Sequence, residues 1–196
     1  MVRRSTVAAG AAVLGSYAAL RSTHAQAWDR RAGVALSRPL GRVGDAVISS
    51  GTDLGSVYAI AGVSAVLAAT GRRRAAVDVL GAGAVGWTVA QGVKPLVKRE
   101  RPYQAHGAFR LVAEPAGDSW PSGHVAVAGA MAGALTPAMS PAARLGTFVL
   151  AMFVSVSRIY VGVHYLTDVV AGLGLGVLSA RGWTAARRAV RRWRRR

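Results

Sequence analysis

An all-α, integral membrane bundle of about six transmembrane helices is the fold class this sequence predicts. Three observations point there. Of 196 residues 52% are hydrophobic, yet the formal net charge is +17 and the mean hydropathy +0.32. The apolar residues fall in six runs, with the basic residues gathered between them. Those runs are rich in Gly and Ala, as in Gly172-Leu173-Gly174-Leu175-Gly176, and small residues let membrane helices approach closely. A soluble helical bundle needs a polar face on each helix, and six such runs in 196 residues leave too little of one. At this length a single domain over residues 1–196 is expected.

Taken in order, residues 5–20 form the first apolar run, behind Arg3 and Arg4. Ala25-Gln26-Ala27 resembles a small-residue cleavage site, so a secretory signal competes with a retained first helix extended by residues 22–27. Arg21 intrudes between the run and that site, which favours the retained helix. Residues 28–53 turn polar, with residues 43–48 as a short amphipathic piece at the surface. Runs over 54–70 and 75–93 follow, broken by Gly71-Arg72-Arg73-Arg74. Residues 94–121 read as a polar loop, and the last three runs cover 122–139, 145–163 and 165–180. Each run approaches the roughly 20 residues that cross a hydrocarbon core of ~30 Å. Residues 181–196 read as a basic tail with eight arginines, suited to anionic lipid of the cytoplasmic leaflet.

With residue 1 inside, the inner segments hold fourteen basic residues and the outer segments ten. Five of those ten lie within 94–110, where a ligand accounts for them. The positive-inside rule then puts the C-terminus in the cytoplasm and the polar islands between 94 and 168 outside. Nucleic acid is a poor partner for this charge, because aromatics are only 7% and no recognition motif accompanies the arginines. The chain has no cysteine, which excludes disulfides and thiolate metal sites. Nothing in it specifies an oligomeric state.

Three polar islands carry the chemistry. Lys94 and Arg101, each followed by a proline, make a cation pair at a helix end and loop, suited to phosphoryl oxygens. Pro121-Ser122-Gly123-His124 opens an apolar run; Ser caps, Gly admits close approach, and the free N–H groups form an anion site beside His124. Arg158 stands in an apolar run, where a charge is costly unless it faces a polar cavity. His164 and Asp168 are four apart, which on a helix places them on one face within hydrogen-bonding reach. A carboxylate on one ring nitrogen fixes the tautomer and leaves the other nitrogen free to attack. Taken singly, each island also suits a bland role: a headgroup-facing loop, a capped helix, an interfacial His–Asp pair. His106 reads as a solvated loop histidine.

Lys-x6-Arg-Pro from Lys94, Pro-Ser-Gly-His from Pro121, and Ser-Arg-x5-His-x3-Asp from Ser157 stand in that order over 75 of 196 residues. Together they resemble the three signature motifs of the type 2 phosphatidic acid phosphatase (PAP2) superfamily of membrane lipid phosphatases, bacterial acid phosphatases and vanadium haloperoxidases. The resemblance implies that His164 is the nucleophile forming a phosphohistidine, oriented by Asp168. It implies that His124 is the general acid for the leaving alkoxide, and that Lys94, Arg101, Arg158, Ser122 and Gly123 bind phosphate. It implies no cofactor and no metal.

The expected activity is hydrolysis of a lipid-linked phosphate or diphosphate at the outer face of the cell membrane. Candidate substrates are polyprenyl diphosphate or a polyprenyl-phospho-sugar, phosphatidic acid, and phosphatidylglycerol phosphate, with polyprenyl carriers favoured by analogy to family members of similar size. The rival readings are a phosphatase of soluble esters, a vanadate-dependent haloperoxidase relative, and a non-catalytic scaffold that binds lipid phosphate.

Overall fold

The computed structural model describes residues 2–196, and every regular element among them is helical. The chain runs through α1 (Val2–Ala19), α2 (Thr23–Leu36), α3 (Gly41–Gly51), α4 (Val57–Ala69) and α5 (Arg73–Val97). It continues with α6 (Pro102–His106), α7 (Gly123–Leu135), α8 (Pro141–Tyr160) and α9 (Leu166–Trp193). Local chemistry sets several ends. Ser22, Ser56 and Ser140 accept backbone bonds from the residue three ahead, capping α2, α4 and α8. Gly71, at φ +78°, turns the chain between α4 and α5 in a conformation that suits glycine.

Two sequence expectations change, for residues 22–27 and 94–121, and two segments read only as polar or basic acquire a structure. The first apolar run does not extend through residues 22–27; α1 ends at Ala19 and Ser22 starts a separate helix. Residues 28–53 are mostly helical, as α2, α3 and the start of a 3-10 turn over Thr52–Gly55, because their polar residues line faces rather than interrupt the backbone. Residues 94–121 are not loop throughout: α5 runs on past Pro95 to Val97, and α6 follows. The basic tail is helical to Trp193, where Arg187 pairs with Asp78 of α5 and Trp183 Nε1 donates to the same carboxylate at 3.0 Å.

The helices α5 (continued by α6), α8 and α9 are each long and apolar enough to cross a bilayer, and α3 with α4, bent by 71°, form a fourth candidate. The 13-residue α7 is about 20 Å long, short of the core thickness. It is instead the hub: α5, α8 and α9 pack around it, and Val125–Ala130 are buried. About six helices in all is loosely met, with α1 laid along α9.

Glycines set the α7–α9 spacing. A Cβ on Gly172 would stand 2.7 Å from Ser122 O and 2.9 Å from Val125 Cβ. Gly172→Ala must therefore push the start of α7 aside, at an overpacking cost of about 1–3 kcal/mol. A lower midpoint of thermal unfolding in detergent, with activity falling more than tenfold because Ser122 moves, is the expected outcome; unchanged turnover would show the two helices more yielding than the contact implies.

Candidate active site

One end of the bundle collects the polar islands. Lys94 lies in the last turn of α5, Arg101 caps α6, and Ser122, Gly123 and His124 begin α7. Arg158 lies in the last turn of α8, His164 in the loop that follows, and Asp168 in the first turn of α9. The opposite end carries Arg72–Arg74, Arg144 and the arginines of α9.

Asp168 is wholly buried, and its bonds do not come from the helical face expected of its spacing. His164 precedes α9, and Asp168, three residues after the cap position of Tyr165, folds back to accept from Tyr165 N at 2.8 Å. Ser119 Oγ donates to the same oxygen, Oδ2, at 2.6 Å. His164 Nδ1 stands 3.5 Å from Oδ2, an ion-pair distance rather than a hydrogen bond, so capping and not helix periodicity brings the two together. His164 Nε2 lies 3.4 Å from Arg101 Nη1. A guanidinium only donates, so this contact presents Nε2 as the lone-pair nitrogen and puts the ring proton on Nδ1, facing Asp168. Burial, then the positive charges of Arg101, Arg158 and Lys94 with His124 beside them, hold the His164 imidazole well below its ordinary range.

The cations differ in what they have left to give. Arg101 directs Nε to Gly117 O at 3.0 Å, Nη1 to Val163 O at 3.0 Å, and Nη2 to Ala116 O and Asp118 O, each at 3.2 Å. With the His164 contact its five donors are all engaged, so it anchors the 116–118 turn while setting its charge beside Nε2. Lys94 Nζ donates to Asp118 O at 2.6 Å and keeps two further protons. Arg158, 3% exposed, donates from Nη1 to Thr52 Oγ1 at 3.2 Å, while its Nε has no partner. Ser122 occupies the cap position of α7 as expected but makes no side-chain cap bond, and its buried Oγ is likewise unpartnered. His124 is partly exposed, with Nε2 3.8 Å from Asp53 Oδ1.

Several participants escaped the sequence reading. Arg99, one of the five basic residues within 94–110, bonds Asp168 Oδ1 at 2.6 Å and Asp29 Oδ2 at 2.7 Å. Asp29, Thr167 and Ser119 complete that network. Asp29 gave no local signal, because it stands beside Arg30 and Arg31 in a stretch that reads as polar. Asp53 and Thr52 reach the site from the 3-10 turn, a position no local spacing announces.

Residues 75–192 match the family model described as the PAP2 superfamily, which is more than half of the chain. No curated protein matches the sequence significantly. Among solved structures the fold is similar to the transmembrane PAP2 type phosphatidylglycerolphosphate phosphatase of Bacillus subtilis. The TM-score is 0.81 at 23% identity, over 95% of this chain and 97% of that one. It is also similar to LpxE of Aquifex aeolicus, with TM-score 0.70 and 21% identity over 78% of this chain and 92% of that one. At such identities the likeness is one of fold. The family match, the membrane-length helices and the order of the three islands agree: the chain is a multi-pass membrane protein that belongs to the PAP2 superfamily.

Proposed function

We propose that this protein is a single-domain membrane phosphatase that hydrolyses a lipid phosphate or diphosphate at the outer face of the cell membrane through a phosphohistidine on His164. One observation carries the reading. Four buried side-chain atoms lack a partner among the described residues, and three of them, Ser122 Oγ, Arg158 Nε and His164 Nδ1, belong to the islands. Buried polar groups are normally paired, so Ser122 Oγ at the start of α7 and Arg158 Nε in the last turn of α8, at the same end of the bundle as His164, suit an anion that supplies the missing acceptors.

The chemistry follows from the donors. The phosphoryl group is held by Arg158 Nε, Ser122 Oγ, the two remaining Lys94 protons and the N–H groups opening α7 at Gly123. Nε2 of His164 attacks phosphorus, and the bond from phosphorus to the lipid oxygen breaks. His124 delivers its proton to that oxygen. Water then attacks the phosphohistidine with His124 taking a proton, the N–P bond breaks, and orthophosphate leaves with His164 restored. Positioning and charge stabilisation supply most of phosphoryl-transfer catalysis, and here three protein cations, His124 aside, stand at the site: Lys94, Arg101 and Arg158. Chelator is therefore expected to leave turnover unchanged, and a chelator-sensitive rate would contradict this assignment.

The arginines at the opposite end of the bundle support an outward-facing site with the end of α9 in the cytoplasm, against anionic lipid. For substrate, the similar Bacillus protein is a phosphatidylglycerolphosphate phosphatase, and polyprenyl diphosphate and phosphatidic acid belong to the same chemical class as that lipid. Orthophosphate release is to be measured over phosphatidic acid, phosphatidylglycerol phosphate and polyprenyl diphosphate in detergent, with a soluble phosphate ester alongside. Faster turnover of a lipid is the expected result. Preference for the soluble ester would instead place the protein with the soluble-ester phosphatases, and binding without release would mark a scaffold.

A further inference from the structure

We infer that Arg99, held in place by Asp29, is a positioning residue for Asp168, fixing that carboxylate and balancing its charge so that His164 stays neutral. The inference rests on His164 being the nucleophile. Its geometry is independent of that role. Arg99 Nη1 bonds Asp168 Oδ1 and Thr167 Oγ1, each at 2.6 Å, and Nη2 bonds Asp29 Oδ2 at 2.7 Å. Asp29 also accepts from Thr167 N at 3.0 Å and Thr167 Oγ1 at 2.6 Å, locking α2 against the first turn of α9. The guanidinium lies over the Tyr165 ring, its carbon 3.9 Å from the centroid. Both terminal nitrogens of the fork are thus fixed, by Asp168 and Thr167 of α9 and by Asp29 of α2.

Charge decides what this arrangement does. Asp168 is fully buried, so its negative charge needs a counter-charge close by. Ser119 Oγ and Tyr165 N satisfy Oδ2, and Arg99 satisfies and neutralises Oδ1. None of these is the imidazole. His164 is then not needed as a cation, and its neutral form, the one with a lone pair on Nε2, is preserved. Lys94 of α5, Arg101 of α6, His124 of α7 and Arg158 of α8 also face His164 and act in the same direction, with Asp168 of α9 opposing them. Arg99 differs from these four in touching the carboxylate itself.

The sign follows. Without Arg99 the Asp168–His164 pair gains affinity for a proton, so less of the neutral nucleophile exists at a given pH and the acid limb of the rate profile rises. The experiment uses the full-length protein in detergent with dioleoyl phosphatidic acid, measuring kcat and KM from pH 4 to 8. Arg99→Gln is expected to lower kcat roughly 10–100-fold, by analogy with the partners that orient metal-bound imidazoles. The acid limb of its kcat/KM profile should move up by about one pH unit, the scale for a neighbouring opposite charge. KM should stay within a few fold, because Arg99 does not touch the phosphate. Arg99→Lys should restore the acid limb, and Asp29→Asn should lower kcat without raising it. Removing one member of a buried ion pair also destabilises the fold, so the double variant R99Q/D29N, which removes both charges, is measured in parallel. An unmoved acid limb in R99Q and in the double variant, or a loss confined to KM, overturns the inference. His164→Ala serves as the control: turnover retained there overturns the phosphohistidine reading instead.

Discussion

His164→Ala is expected to abolish phosphate release, with kcat falling by about four to six orders of magnitude, the scale on which loss of a covalent nucleophile is felt. No other group in the site replaces it. His124 stands partly exposed beside Asp53, the Asp168 carboxylate is taken up by Arg99, Ser119 and Tyr165 N, and the cations and hydroxyls of the islands have no base next to them. The variant should remain folded, because the His164 ring contributes only two long polar contacts, 3.4 Å to Arg101 and 3.5 Å to Asp168, and both partners are held by other bonds. Wild type quenched during turnover of labelled substrate should carry an acid-labile phosphoryl group that the variant lacks. The pH dependence follows from the same imidazole. Its neutral form attacks, and burial with the surrounding cations lowers its pKa in the free protein, so the contribution of this imidazole to kcat/KM is present above that lowered value and lost below it. The acid limb should fall well under the ordinary histidine value of about 6.5. An acid limb at or above that value would count against His164 as the free-base nucleophile.

How much of this was legible depended on whether a residue's role could be inferred from its immediate neighbours. Arg158 stood out because a charge in an apolar run demands a reason, and Lys94, His124 and His164 because each sits where such a run begins or ends. Arg99 was hidden by company: flanked by Lys98 and Glu100, it looks like any loop charge, and its partner Asp29 is seventy residues away. The same distance concealed α2, whose arginines depress its hydropathy while its one buried acid ties it to α9. The four-residue spacing of His164 and Asp168 was read correctly as proximity and wrongly as a helical face, since an N-terminal cap produces the same number. Spans were legible as apolar runs, yet α7 is shorter than its run, because a helix sheathed by α5, α8 and α9 need not reach both membrane surfaces itself.

His124→Ala is the second large effect, and its size should depend on the leaving group. A general acid contributes roughly 10²–10⁴-fold when the departing oxygen needs a proton, and little when that oxygen is stable as an anion. With a lipid alcohol as leaving group the variant should lose about that much in kcat; with p-nitrophenyl phosphate, whose phenolate departs unaided, the first step should be nearly spared. Hydrolysis of the phosphohistidine still lacks its base, so p-nitrophenol should appear as a burst matching the enzyme concentration, followed by slow turnover. His124 lies at the start of α7, in the turn that also sets Ser122, and its Nε2 is 3.8 Å from the exposed Asp53 carboxylate, so its removal leaves the buried contacts of Arg158 and Asp168 intact. A uniform loss on both substrates with no burst would instead assign His124 to binding the phosphate, and proton delivery would have to come from solvent reaching the site past Asp53.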